Sequence, residues 1–120
     1  MNLGNHMIIH LGNAADFTKI IKENRYVLVD FFATWCGPCR IMGRVFEVME
    51  KQREDIVFLK VDTDQFPEIA RAFNVMSIPN MFAFKDGARI AFTVNGSEEE
   101  SLLGAIAGEQ FRAILDDTFR

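Results

Sequence analysis

The sequence predicts an α/β fold, a central mixed five-stranded sheet flanked by four helices in the order βαβαβαββα, on three observations. Two short runs, Tyr26–Phe32 and Ile56–Val61, are almost continuously apolar and β-prone, as strands covered on both faces are. The segments that follow them place apolar residues at helical spacing, so strands and helices alternate. Near residue 86 an Asp-Gly step separates two further strand-like runs and marks a tight antiparallel turn. Strand–helix–strand units give parallel neighbours and the tight turn adds an antiparallel one, which makes the sheet mixed.

Taken in order, Met7–Leu11 is a short apolar first strand, and Asn13 is placed to cap a helix running through about Glu23 with Phe17, Ile20 and Ile21 on one face. Tyr26–Phe32 (YVLVDFF) is the second strand, with a single charge, Asp30, embedded in it. From Cys36 to about Gln52, Ile41, Met42, Val45, Phe46, Val48 and Met49 recur at helical spacing. Ile56–Val61 forms the third strand, again with one charge, Lys60, and Asp62, Thr63 and Asp64 lead into a short helix with Pro67 in its first turn. Met81–Phe84 and Arg89–Val94 flank Lys85-Asp86-Gly87-Ala88 and are expected to pair as a hairpin. Glu98, Glu99 and Glu100 favour the start of a last helix, whose apolar stripe is Leu102, Leu103, Ile106, Phe111, Ile114 and Leu115. Gly104 and Gly108 weaken that helix by about 1 kcal/mol each relative to alanine.

A chain of 120 residues, 49% hydrophobic and without repeat or linker, is expected to form one domain over residues 1–120. That size buries roughly two thirds of the unfolded surface and needs no metal or disulfide staple, so the two cysteines are free for chemistry. The net charge of -4, with no Lys/Arg cluster, excludes a nucleic-acid partner, because phosphate binding needs concentrated positive charge. No apolar run approaches the roughly 18 residues of a membrane span, and the start lacks a basic and apolar leader. A cytoplasmic monomer is the expectation.

The chemistry sits at Cys36-Gly37-Pro38-Cys39. Two cysteines three apart beside a βαβ pattern read as a redox pair. Cys36 falls where strand gives way to helix, and unpaired amides at a helix start favour thiolate over thiol, making an exposed nucleophile. Cys39 returns on the same side one turn later, close enough to close a disulfide after Cys36 has captured a substrate sulfur. Pro38 loses nothing in an opening turn whose amides are unpaired, and Gly37 leaves the sulfur open.

VDFFATWCGPC at Val29–Cys39, Ile78-Pro79 some forty residues on, and FKDG at Phe84–Gly87 resemble the thioredoxin family. The similarity runs from about Tyr26 to Ile106 and includes Lys60, Asp62, Asp64 and Gln65. It implies the thioredoxin fold and a thiol-disulfide oxidoreductase that reduces protein disulfides. Cys36 would attack client disulfides and Cys39 resolve the mixed disulfide. The resemblance further implies electrons from NADPH through a flavin-containing thioredoxin reductase, with no cofactor bound by the chain itself. Asp30, a carboxylate raised in pKa by burial, would take the proton of Cys39, tuned by a hydrogen bond or ion pair with Lys60. Trp35, Gly37, Pro38, Ile78, Pro79 and Gly96 would line the client groove, Ile78-Pro79 as a cis-proline loop and Gly96 as the glycine before the last helix.

Three positions depart from the family pattern. Arg44 replaces a helix-kinking proline, Asn80 a threonine after Pro79, and Phe32 a tryptophan two residues after Asp30. Residues 111–120 extend past the usual family end and are expected to prolong the last helix. Rival readings are a zinc site of His6, His10, Cys36 and Cys39, a binding module of the same fold with incidental cysteines, and an oxidising relative of the secretory pathway.

Overall fold

Alternation along the second strand decides the layering. The computed structural model describes residues 7–120. Its strands are β1 (Ile8–His10), β2 (Tyr26–Phe32), β3 (Ile56–Asp62), β4 (Asn80–Lys85), β5 (Ala88–Ile90), β6 (Phe92–Val94), β7 (Ser97–Glu99) and β8 (Leu102–Leu103). Its helices are α1 (Asp16–Glu23), α2 (Gly37–Gln52), α3 (Pro67–Ala72) and α4 (Gly108–Thr118). The sheet runs β1-β3-β2-β4-β5, with β2 parallel to β3 and antiparallel to β4. β2 is therefore central, and its side chains alternate between two buried faces.

Tyr26 and Leu28 point to one side, where Met42, Phe46 and Met49 of α2 and Phe111, Ile114 and Leu115 of α4 cover them. Val27, Val29 and Phe31 point to the other, packed with Ile21 of α1 and Ala70 of α3. The expected α/β class and thioredoxin fold hold. Truncating a fully buried ring to alanine, Phe46 on one face or Phe31 on the other, would cost about 3–5 kcal/mol, so each face is set by a few large residues.

Several boundaries differ from the sequence expectation. Asn13 does not cap α1; its side chain accepts from the Ala15 amide at 2.9 Å, forming a turn ahead of the helix. α2 runs unbroken through Gly43 and Arg44. The expected strand Arg89–Val94 is divided, because β6 leaves the main sheet and pairs with β7 instead. Asn95 and Gly96, with φ of 51° and 81°, make the turn between them, the left-handed pair that a tight hairpin demands.

Glu98 and Glu99 thus lie in a strand and Glu100 follows it; none of them starts a helix. Leu102 and Leu103 form β8, a sixth strand of the main sheet, which pairs with Met81 and Asn80. α4 begins only at Gly108, after Gly104 turns the chain at φ 81°. Residues 111–118 are consequently the body of the last helix, and no extension of an earlier one. Phe92 of the small hairpin is buried in the α4 face, and the Thr118 hydroxyl accepts from the Thr93 amide at 2.9 Å.

The far end of α2 is clamped by Arg53. Its guanidinium donates to the Asp55 carboxylate at 2.9 and 2.8 Å, to Asp116 at 3.0 Å and to the carbonyl of Phe119 at 3.0 Å. One side chain thereby joins α2, the approach to β3 and the end of α4.

Candidate active site

β2 ends at Phe32, and the chain turns through Ala33, Thr34 and Trp35 before α2 opens. The Cys36 amide donates back to Ala33 at 3.2 Å, which leaves Cys36 in an extended conformation as the cap of α2. Its Sγ receives the Cys39 amide at 3.2 Å, and its carbonyl receives Arg40 at 3.3 Å. A helix-opening amide thus points at this sulfur, an arrangement that stabilises negative charge there. Pro38 sits in the first turn, where its missing N–H leaves no acceptor unsatisfied.

Cys36 and Cys39 are joined by a disulfide, with Cα atoms 5.2 Å apart. Cys39 is buried at 2% exposure. Cys36, expected to be exposed, retains only 5% in this oxidised form, but it lines an open groove of about 500 Å³. Trp35, Gly37, Pro38 and Ile78 line the same groove, together with Thr63, Ala70, Val75, Met76 and Ser77, which the sequence reading did not single out. Ile78-Pro79 is a cis peptide; Ile78 lines the groove and its carbonyl oxygen lies 3.9 Å from Cys36 Sγ, whereas Pro79, expected in the groove, is buried and does not line it.

Trp35 is 67% exposed, a surface aromatic in the groove wall. Its indole N–H donates to the Asp64 carboxylate at 2.9 Å, and Asp64 is held in turn by its amide donating to Asp62 at 2.8 Å. The exit of β3 therefore fixes the ring from below.

Asp30 is fully buried. It follows Leu28 on the face covered by α2, where Cys39 precedes Met42 by one turn, so carboxylate and inner sulfur adjoin the same interface. Burial pushes its pKa up to about 7, and the Lys60 charge pulls part of that rise back. Neither carboxylate oxygen has a hydrogen-bond partner among the described residues. The expected hydrogen bond or ion pair with Lys60 is thus not made. Lys60 pairs with Asp30 in register across β2 and β3, but its ammonium rests 4.4 Å from the centre of the Phe32 ring. Phe32, at the departure from tryptophan, supplies an aromatic face that competes for the cation.

Gly96 is not part of the groove; it belongs to the β6–β7 turn. The glycine before the last helix is Gly104, whose amide donates to the Pro79 carbonyl at 2.8 Å and ties β8 to the cis-proline loop. The Asn95-Gly96 step, a hairpin signal, was available in the sequence to separate the two. Asn80 is buried, and its side-chain oxygen has no hydrogen-bond partner among the described residues. For the zinc reading, His6 lies outside the described residues, and His10 packs edge-on to Phe32 at 6.2 Å. Among the described residues no three metal-ligating side chains cluster.

A disulfide that caps a helix beside a cis-proline, on a sheet of this order, defines a thiol-disulfide oxidoreductase. The thioredoxin family model matches residues 8–108, and the chain belongs to the thioredoxin family. It is 39% identical to a thioredoxin of Mycoplasmoides gallisepticum over 97 residues, 78% of this chain and 97% of that one. It is 40% identical over 96 residues, 79% of this chain, to a bifunctional thioredoxin reductase/thioredoxin of Mycobacterium leprae, of which the match spans 21%. Among solved structures, oxidised mitochondrial thioredoxin 3 of Saccharomyces cerevisiae superposes with a TM-score of 0.75 at 32% identity, covering 91% of this chain and 94% of that one. The activity is that of a protein-disulfide reductase working through the Cys36–Cys39 pair.

Proposed function

We propose that this chain acts as one unit, a cytoplasmic monomer that carries electrons from a flavin-containing thioredoxin reductase, and ultimately NADPH, to disulfides of client proteins. The observation that carries the reading is the seat of Cys36, a helix-capping sulfur in a groove shaped by Trp35 and the Ile78-Pro79 loop. The reductase-fused relative supports the reductase partner.

In the reduced form the Cys36 thiolate attacks one client sulfur. The client S–S bond breaks, a Cys36–client bond forms, and the departing sulfur leaves as a thiolate that takes a proton from solvent. Asp30 then accepts the Cys39 proton, a task suited to a group titrating near neutrality. Cys39 attacks Cys36 Sγ and expels the second client sulfur, which leaves the disulfide of the present structure. Two electrons have moved to the client and two return from the reductase. Trp35, Gly37, Pro38 and Ile78 hold the client strand, the cis bond before Pro79 setting the place of Ile78, and Lys60 tunes Asp30 through space.

Insulin-disulfide reduction tests the roles: Cys36→Ser and Cys39→Ser should each abolish turnover, and retained turnover in either overturns them. The electron source is tested by NADPH consumption with a thioredoxin reductase and the disulfide form. No consumption would sink that part alone.

A further inference from the structure

The groove carries one reactive side chain that disulfide exchange does not use. Met76 is 93% exposed and lines the same groove as Trp35, Cys36 and Ile78. Among the other described methionines, Met42, Met49 and Met81 are at most 3% exposed and Met7 is half-buried, so Met76 is the most open of them. A thioether in water at the lip of an apolar groove is open to peroxides, and its oxidation replaces an apolar surface by a polar one.

We propose that Met76 is a modification site: hydrogen peroxide converts it to methionine sulfoxide, and the altered lip weakens client docking. A lone pair on Met76 Sδ attacks one peroxide oxygen, the S–O bond forms, and the O–O bond breaks. The departing hydroxide takes up the remaining proton and becomes water. Sulfur loses two electrons and the peroxide gains them. In the disulfide state both cysteine sulfurs are bonded to each other, so no thiolate competes for the oxidant. The site is therefore most selectively oxidised when the carrier is discharged, and sulfoxide reductases can restore it. The inference rests on the reading that clients dock in this groove.

The full chain in its disulfide form is exposed to hydrogen peroxide, cleared of oxidant, and divided between peptide mass mapping and insulin reduction with reductase and NADPH. The expected result is one added oxygen on Met76 before Met42, Met49 or Met81. Client KM should then rise about threefold to tenfold while kcat stays within about twofold, the loss of part of a methionine's apolar contact. In Met76→Leu the ratio of KM after and before peroxide should stay near one, whatever its starting value. Earlier oxidation of a buried methionine, an unchanged KM in protein carrying the Met76 sulfoxide, or an equal loss in Met76→Leu each overturns the inference. Trp35→Ala separates the underlying reading: if it leaves KM unchanged, groove docking itself fails, and if it raises KM while the sulfoxide does not, only the role of Met76 fails.

Discussion

The two ends of α2 hold carboxylates in opposite circumstances. At the start, Asp30 lies fully buried beneath the helix with neither oxygen hydrogen-bonded among the described residues. Just past the end, Asp55 is half exposed and takes two hydrogen bonds from Arg53. Burial lifts Asp30 to about 7, whereas the Arg53 hydrogen bonds, outweighing its own partial burial, hold Asp55 below the ordinary carboxyl range. A satisfied carboxylate is fixed in one charge state near neutrality and serves the fold. An unsatisfied one is left able to change state near neutrality, at a cost borne by the rest of the fold.

The strongest test of this contrast is the pH dependence of stability. Asp30 has a folded pKa above its unfolded value of 3.8, so below that value it is protonated in both states and costs nothing. As pH rises towards about 7 the unfolded chain ionises first, and stability falls by roughly 4 kcal/mol across that window, a shift of about three units. Urea unfolding of Asp30→Asn should lack this decline; an identical pH profile in both proteins would refute the buried, raised carboxylate. Asp55 works the other way, adding stability above its unfolded value that is lost as pH falls through its depressed one.

Next in size is the kinetic effect. Asp30→Asn should slow insulin reduction about a hundredfold near neutrality, the lower end of the range for losing a general base. Stopped-flow measurement would locate the loss in release from the mixed disulfide, and a slowed first attack on the client would contradict the assignment. Arg53→Ala should lower stability by about 1 kcal/mol, chiefly by leaving the Phe119 carbonyl without its donor, since Asp55 and Asp116 are half exposed and take water instead, with turnover per folded molecule unchanged. Smallest is Lys60→Met, which removes the opposing charge and should move the titration of Asp30 upward, read by carboxyl NMR. A downward movement would mean that Lys60 acts otherwise.

Much of this was legible in the sequence because the signals were local. Tyr26–Phe32 and Ile56–Val61 form the central strands, and the Cys36-to-Cys39 spacing at a strand–helix junction gives the reactive pair its seat. The last third misled because charge was weighed without turn chemistry. Glu98, Glu99 and Glu100 suit a helix start, yet Asn95-Gly96 just upstream supplies two left-handed residues and closes a hairpin first. That displaced the last helix to Gly108 and the loop glycine from Gly96 to Gly104. The solitude of Asp30 was hidden for another reason: Lys60 is its register partner, and only the position of the Phe32 ring shows that the cation goes elsewhere. Arg53 was equally hidden, since two of its partners come from residues 116 and 119.

Cys39, closed off behind its neighbour, has a consequence for timing. A sulfur that glutathione-sized molecules cannot approach answers only to the geometry of its own chain. If Cys39 resolves the mixed disulfide as proposed, release through it is first order: dilution or crowding alters how often a partner is seized, while the rate of this exit stays the same.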